Sequence, residues 1–62
     1  DSYHKAVSFY NQGMLSHSKR PLREAIKYAQ YALSSAKSEG VREQMRQIIR
    51  ESRKLLWSGK AY

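Results

Sequence analysis

The chain is 62 residues long, with 12 Lys and Arg against 5 Asp and Glu, and a formal net charge of +7. A domain of this size buries only about 60% of its unfolded surface, which leaves room for one hydrophobic layer and argues against a deep substrate cavity. The absence of Cys excludes disulfide staples, Cys-based zinc sites and thiol chemistry, and fits an intracellular domain.

The first helix is expected from about Ser2 to Leu15, with Ser2 as N-cap. At about 100° per residue, Tyr3, Ala6, Val7, Tyr10 and Met14 share one face, Phe9 and Gly13 lie at its edge, and Lys5, Ser8 and Gln12 fall opposite. The Ser16–Pro21 stretch breaks the pattern. Pro21 suits the first turn of a second helix, and pushes Arg20 out of the helical region.

The second helix is expected from about Pro21 to Lys37. Leu22, Ala25, Ile26, Ala29, Ala32, Leu33 and Ala36 make an alanine-rich stripe that allows close helix approach, with Tyr28 and Tyr31 beside it. Those two tyrosines suit either the rim of a small core or a partner groove. Glu24 is expected in the first turn, where the helix dipole favours an acid. Ser38-Glu39-Gly40 reads as a C-cap signal.

The third helix is expected from about Val41 to Trp57, with Val41, Met45, Ile48, Ile49, Ser52, Leu55 and Leu56 on its apolar face. Ser58-Gly59 would end it, and Lys60-Ala61-Tyr62 would fray. Short breaks favour antiparallel neighbours, hence an all-α, up-down-up three-helix bundle. The whole of 1–62 reads as a single domain. Its start at Asp1 suggests that it was excised from a larger protein, whose remaining parts would then be partners too. No apolar run approaches the roughly 20 residues of a membrane span.

Few polar residues point to chemistry. His4 and His17 do not have metal-ligand spacing. The acids Asp1, Glu24, Glu39, Glu43 and Glu51 form no evident acid/base pair, and Gly13, Gly40 and Gly59 make no phosphate loop. The expectation is therefore a non-enzyme without cofactor or metal. The strongest polar signal lies on the third helix, where Arg42, Arg46, Arg50 and Arg53 occupy one sector together with Trp57. Such a row suits an acidic peptide, with Arg forks on carboxylates and the indole as anchor. It suits nucleic acid equally, with Arg on phosphates and the ring on a base. The bland alternative is a solvated face paired to Glu39, Glu43 and Glu51, with Trp57 capping the core.

The spacing of Gly13, Ala25 twelve residues on and Ala32 seven further, with Phe9 as the large aromatic, resembles a tetratricopeptide helical hairpin. The segments Arg23–Leu33 and Arg50–Leu56 resemble the second and third helices of the microtubule-interacting and trafficking (MIT) domain. That resemblance covers nearly the whole chain. It implies a tetratricopeptide-like hairpin with a third packed helix, a cytoplasmic trafficking role, and recognition of short C-terminal tails of the ESCRT-III kind beside the third helix. Arg50 stands where several members carry an acid, so the implied tail offers carboxylates. The expected site is Arg42, Arg46, Ile49, Arg50, Arg53, Leu56 and Trp57, with Tyr28 and Tyr31 as groove aromatics. The rival reading is a basic nucleic-acid-binding domain using the same Arg row, with the nucleus as its compartment.

Overall fold

A computed structural model describes residues 1–58 and shows three α-helices: α1 (Ser2–Ser16), α2 (Lys19–Ser35) and α3 (Glu39–Trp57). The expected end at Gly59 and the fraying of Lys60-Ala61-Tyr62 lie outside the described residues.

Each helix start departs from the sequence expectation by a residue or two. Asp1, not Ser2, caps α1, and its Oδ1 accepts the His4 backbone N–H at 2.9 Å. A carboxylate three residues ahead of a free N–H is the stronger acceptor, and it sits at the positive end of the helix dipole. The second helix begins at Lys19, so Arg20 is helical rather than pushed out. Pro21 is still in the first turn, where its missing N–H costs nothing, and the steric bias on the preceding residue is overcome there. Glu24 is consequently beyond the first turn, and no acid occupies that turn of α2.

The second break is earlier than the glycine suggested. The last residue of α2 is Ser35, and Ala36 follows in an extended conformation with its N–H donated to Leu33 O at 3.4 Å. Ser38 is the extended N-cap of α3, Glu39 lies in the first turn, and Gly40 is helical. Gly40 thus does not terminate α2. An acid in the first turn of α3 favours helix initiation at this point.

The hairpin of α1 and α2 is antiparallel, with Gly13 against Leu22 and Phe9 against Tyr28. A Cβ built on Gly13 would lie 2.6 Å from Leu22 Cγ and 3.3 Å from Leu22 N, so the crossing closes only because position 13 has no side chain. Below it runs a seam of alanines: Ala6, Ala25, Ala29 and Ala32 are buried, together with Met45 and Ile48 from α3. Tyr3, Val7, Tyr10, Leu33, Val41 and Ile49 pack around this cluster. Met14, expected on the apolar face, is 41% exposed instead. The face of α1 turns inward at Gly13, which moves the next residue to the rim.

α3 runs parallel to α1 across the bundle. Tyr3 donates its hydroxyl to Gln44 Oε1 at 2.7 Å, and Glu51 lies close enough to Tyr10 to repel its phenolate. The α1–α3 contact is the slightest of the three helix pairs, while α2 packs closely on both. This all-α three-helix bundle is the expected architecture. Its core is narrow because four of its buried side chains are single methyl groups.

Candidate anion-binding face

α3 buries Met45, Ile48 and Ser52 against the hairpin. The next sector of the helix carries Arg46, Ile49, Arg50, Arg53, Lys54 and Trp57, which together line one shallow, open depression. All six come from α3. The depression is therefore a stripe on a single helix rather than a cleft between two.

Its composition is apolar in the middle and cationic around the edges. Ile49 is half-buried and bridges the stripe to the core, and the Trp57 indole is 81% exposed. The alternative in which Trp57 caps the core is therefore excluded. Arg46 is tied to Glu43 through Nη1 at 3.1 Å, one helical turn away. Among the described residues, Arg50, Arg53 and Lys54 have no carboxylate within 4.0 Å. Glu51, which a solvated-face reading would have paired with them, is half-buried and faces Tyr10 instead.

Not every expected residue joins the stripe. Arg42 pairs with Glu39 at 3.5 Å near the start of α3 and does not line the depression. Leu56 is half-buried and also does not line it. Lys54 was missed by sequence reasoning, although its spacing of four from Arg50 and three from Trp57 places it on the same face.

Tyr28 and Tyr31 lie elsewhere, on the α1/α2 hairpin, and neither lines the α3 stripe. Tyr28 is half-buried, its ring stacked on Phe9 with centroids 5.7 Å apart and planes 7° from parallel. Of the two readings the sequence leaves open, core rim or partner groove, Tyr28 takes the first. Tyr28 belongs to the packing of α1 on α2, while Tyr31 meets the Tyr28 ring edge-on and keeps 54% of its surface exposed.

Both histidines lie at the ends of α1. His4 Nδ1 lies 3.0 Å from Asp1 Oδ1, and His17 occupies the left-handed C-cap of α1 with φ 52°. Burial first and the Glu51 carboxylate second raise the Tyr10 phenol above the ordinary 10.0. No group of three His, Asp or Glu side chains among the described residues is placed to hold a metal ion. No helix there is long and apolar enough to cross a membrane. No family model matches the chain, and neither curated proteins nor solved structures give a match.

Proposed function

We propose that this domain is a non-catalytic protein-interaction module that holds a short acidic, amphipathic peptide along α3. The observation that carries this reading is the pairing of an exposed Trp57 and a half-buried Ile49 with Arg50, Arg53 and Lys54, none of which has a carboxylate partner among the described residues. Unpaired guanidinium forks favour carboxylates, and an exposed indole gains by being covered. From Arg46 to Trp57 the stripe spans about 16 Å, or three turns of helix. A partner of about the same length, with apolar residues along one face and carboxylates beside them, matches it. Arg42 would serve only to attract the partner from a distance.

The trafficking role, and a partner of the ESCRT-III tail kind, rest on the resemblance of Arg23–Leu33 and Arg50–Leu56 to the MIT domain and of the hairpin to a tetratricopeptide pair. A cytoplasmic location follows from that same resemblance. The three-helix bundle is compatible with it.

The test is a chemical-shift titration of the domain with acidic amphipathic peptides. The amides from Ile49 to Trp57 and the Trp57 indole should move. Arg50→Glu should weaken binding, and a peptide with its matching acid changed to Lys should restore it. If no peptide moves the α3 amides at millimolar concentration, the reading fails. The same three free cations beside an exposed ring also favour nucleic acid as a second occupant of α3. Phosphate binding would weaken log-linearly and steeply with salt, whereas a peptide held by Ile49 and Trp57 would weaken less.

A further inference from the structure

The hairpin carries a second cationic face that is separate from the α3 stripe. Lys5 of α1 and Lys27 of α2 both reach the ring of Tyr28, with Nζ 5.3 Å and 5.7 Å from its centroid. Both distances are within cation–π range. Among the described residues neither ammonium has a carboxylate within 4.0 Å. Two like charges from different helices thus converge on one ring with no counter-anion. Arg23, one turn before Lys27 on α2, is exposed and also lacks such a partner. Glu24, half-buried, is the one acid on this stretch of α2.

Beside these cations stands a ladder of aromatic rings. Phe9 backs Tyr28, and Tyr28 meets Tyr31 edge-to-face at 6.1 Å and 70°. The first two rings are held by packing, while Tyr31 is 54% exposed. A planar group laid on Tyr31 would therefore meet a platform whose orientation is already fixed by its neighbours. Bases of a single strand bring such planar groups, and their phosphates follow at the spacing of the chain. A duplex keeps its bases stacked on one another and offers Tyr31 nothing.

We propose that the α1/α2 face formed by Lys5, Lys27, Tyr28 and Tyr31 binds single-stranded nucleic acid, with one base stacked on Tyr31 and its flanking phosphates on the two lysines. The site needs no opening of the bundle. It is independent of the α3 stripe, so the peptide reading of that stripe can fail without affecting it.

Fluorescence anisotropy with a labelled oligothymidylate of about ten nucleotides tests this. The strand should bind in preference to a duplex of the same length. Tyr31→Ala should lower affinity about tenfold. The double variant Lys5→Gln/Lys27→Gln should reduce the slope of log affinity against log salt by about 1.4, from about 0.7 per phosphate contact on a single strand. Circular dichroism should show these exposed-site variants to be as helical as the parent. The proposal is overturned if the strand does not bind, if the duplex binds equally well, or if Tyr31→Ala binds like the parent. It is also overturned if Arg50→Gln/Arg53→Gln/Lys54→Gln abolishes binding while the Tyr31 and lysine variants retain it, since the strand would then lie on α3.

Discussion

Two glycines in this chain are both helical, yet replacing each with alanine should move stability in opposite directions. Alanine is worth up to about 1 kcal/mol over glycine within a helix, because it loses less backbone freedom on folding. At Gly40, in the first turn of α3, an added Cβ meets only Ser38 Oγ at 3.6 Å, an ordinary contact. Gly40→Ala should therefore stabilise the domain by about 0.5 kcal/mol. At Gly13 the same atom would overlap Leu22 Cγ, and it would press on Leu22 N at 3.3 Å. Leu22 is fully buried, so its side chain has no free space to enter. Overpacking of this kind costs about 1–3 kcal/mol. After the helix gain, Gly13→Ala should come out destabilised by about 1 kcal/mol. At about 4–8 °C per kcal/mol for a domain of this size, that is a Tm lower by about 5 °C, against a rise of about 3 °C for Gly40→Ala. Urea and thermal unfolding followed by circular dichroism would measure both. The overlap also makes a pairwise prediction. In a Leu22→Ala background the clashing Cγ is gone and only the contact with the backbone N of residue 22 remains, so Gly13→Ala should cost less there than in the parent. A Gly13→Ala variant as stable as Gly40→Ala would refute the close crossing of α1 on α2.

Further substitutions probe three single features. Ser52 is fully buried and its Oγ has no hydrogen-bond partner among the described residues, so Ser52→Ala should raise stability by about 1 kcal/mol in urea denaturation. His17 holds a left-handed backbone with φ 52°, where a side chain costs about 1 kcal/mol; His17→Gly should recover most of that as a higher Tm, and a fall would mean that the imidazole makes a compensating contact. The Tyr10 phenol is raised above 10.0 by burial and by Glu51, so the fold favours its protonated form. That contribution is complete below pH 10.0 and is lost as pH rises through the higher folded value. Tyr10→Phe should flatten this alkaline loss, and Glu51→Gln should lower the phenol's titration point when the Tyr10 ring carbons are followed by NMR.

The helices were legible because each buried face repeats with the helical period. Leu22, Ala25, Ala29 and Ala32 on α2, and Met45, Ile48 and Ser52 on α3, all stand where the periodicity placed them. The ends were less legible, for a physical reason. Capping depends on which of several adjacent polar groups reaches a free N–H, and both Asp1 and Ser2 could have done so. Gly40 shows the same ambiguity, since a glycine can end a helix or simply stand within its first turn. The α3 stripe could be read from spacing alone, apart from Lys54, which was missed, and Arg42 and Leu56, which do not line it. Arg42 shares the charge and the period, but it stands one turn nearer the start of α3 than Arg46 and does not line the depression. The placement of Tyr28 was not legible. Periodicity put it beside the apolar stripe of α2, but not which neighbour it would meet. Only the register of the hairpin, set at Gly13 and Leu22, lays it on Phe9.

The alanine seam has a consequence for how this domain tolerates random change. Most globular interiors suffer when a large side chain is trimmed, because a void is left behind. At Ala6, Ala25, Ala29 and Ala32 there is almost nothing to trim, and alanine freezes no rotamers on folding. These positions are vulnerable in the other direction, since any larger residue must force two helix backbones apart. In a library of all single substitutions, the deleterious ones here should be sorted by added volume rather than by lost hydrophobicity. Ala→Ser should be the mildest change and Ala→Leu among the worst, although leucine is the more apolar residue.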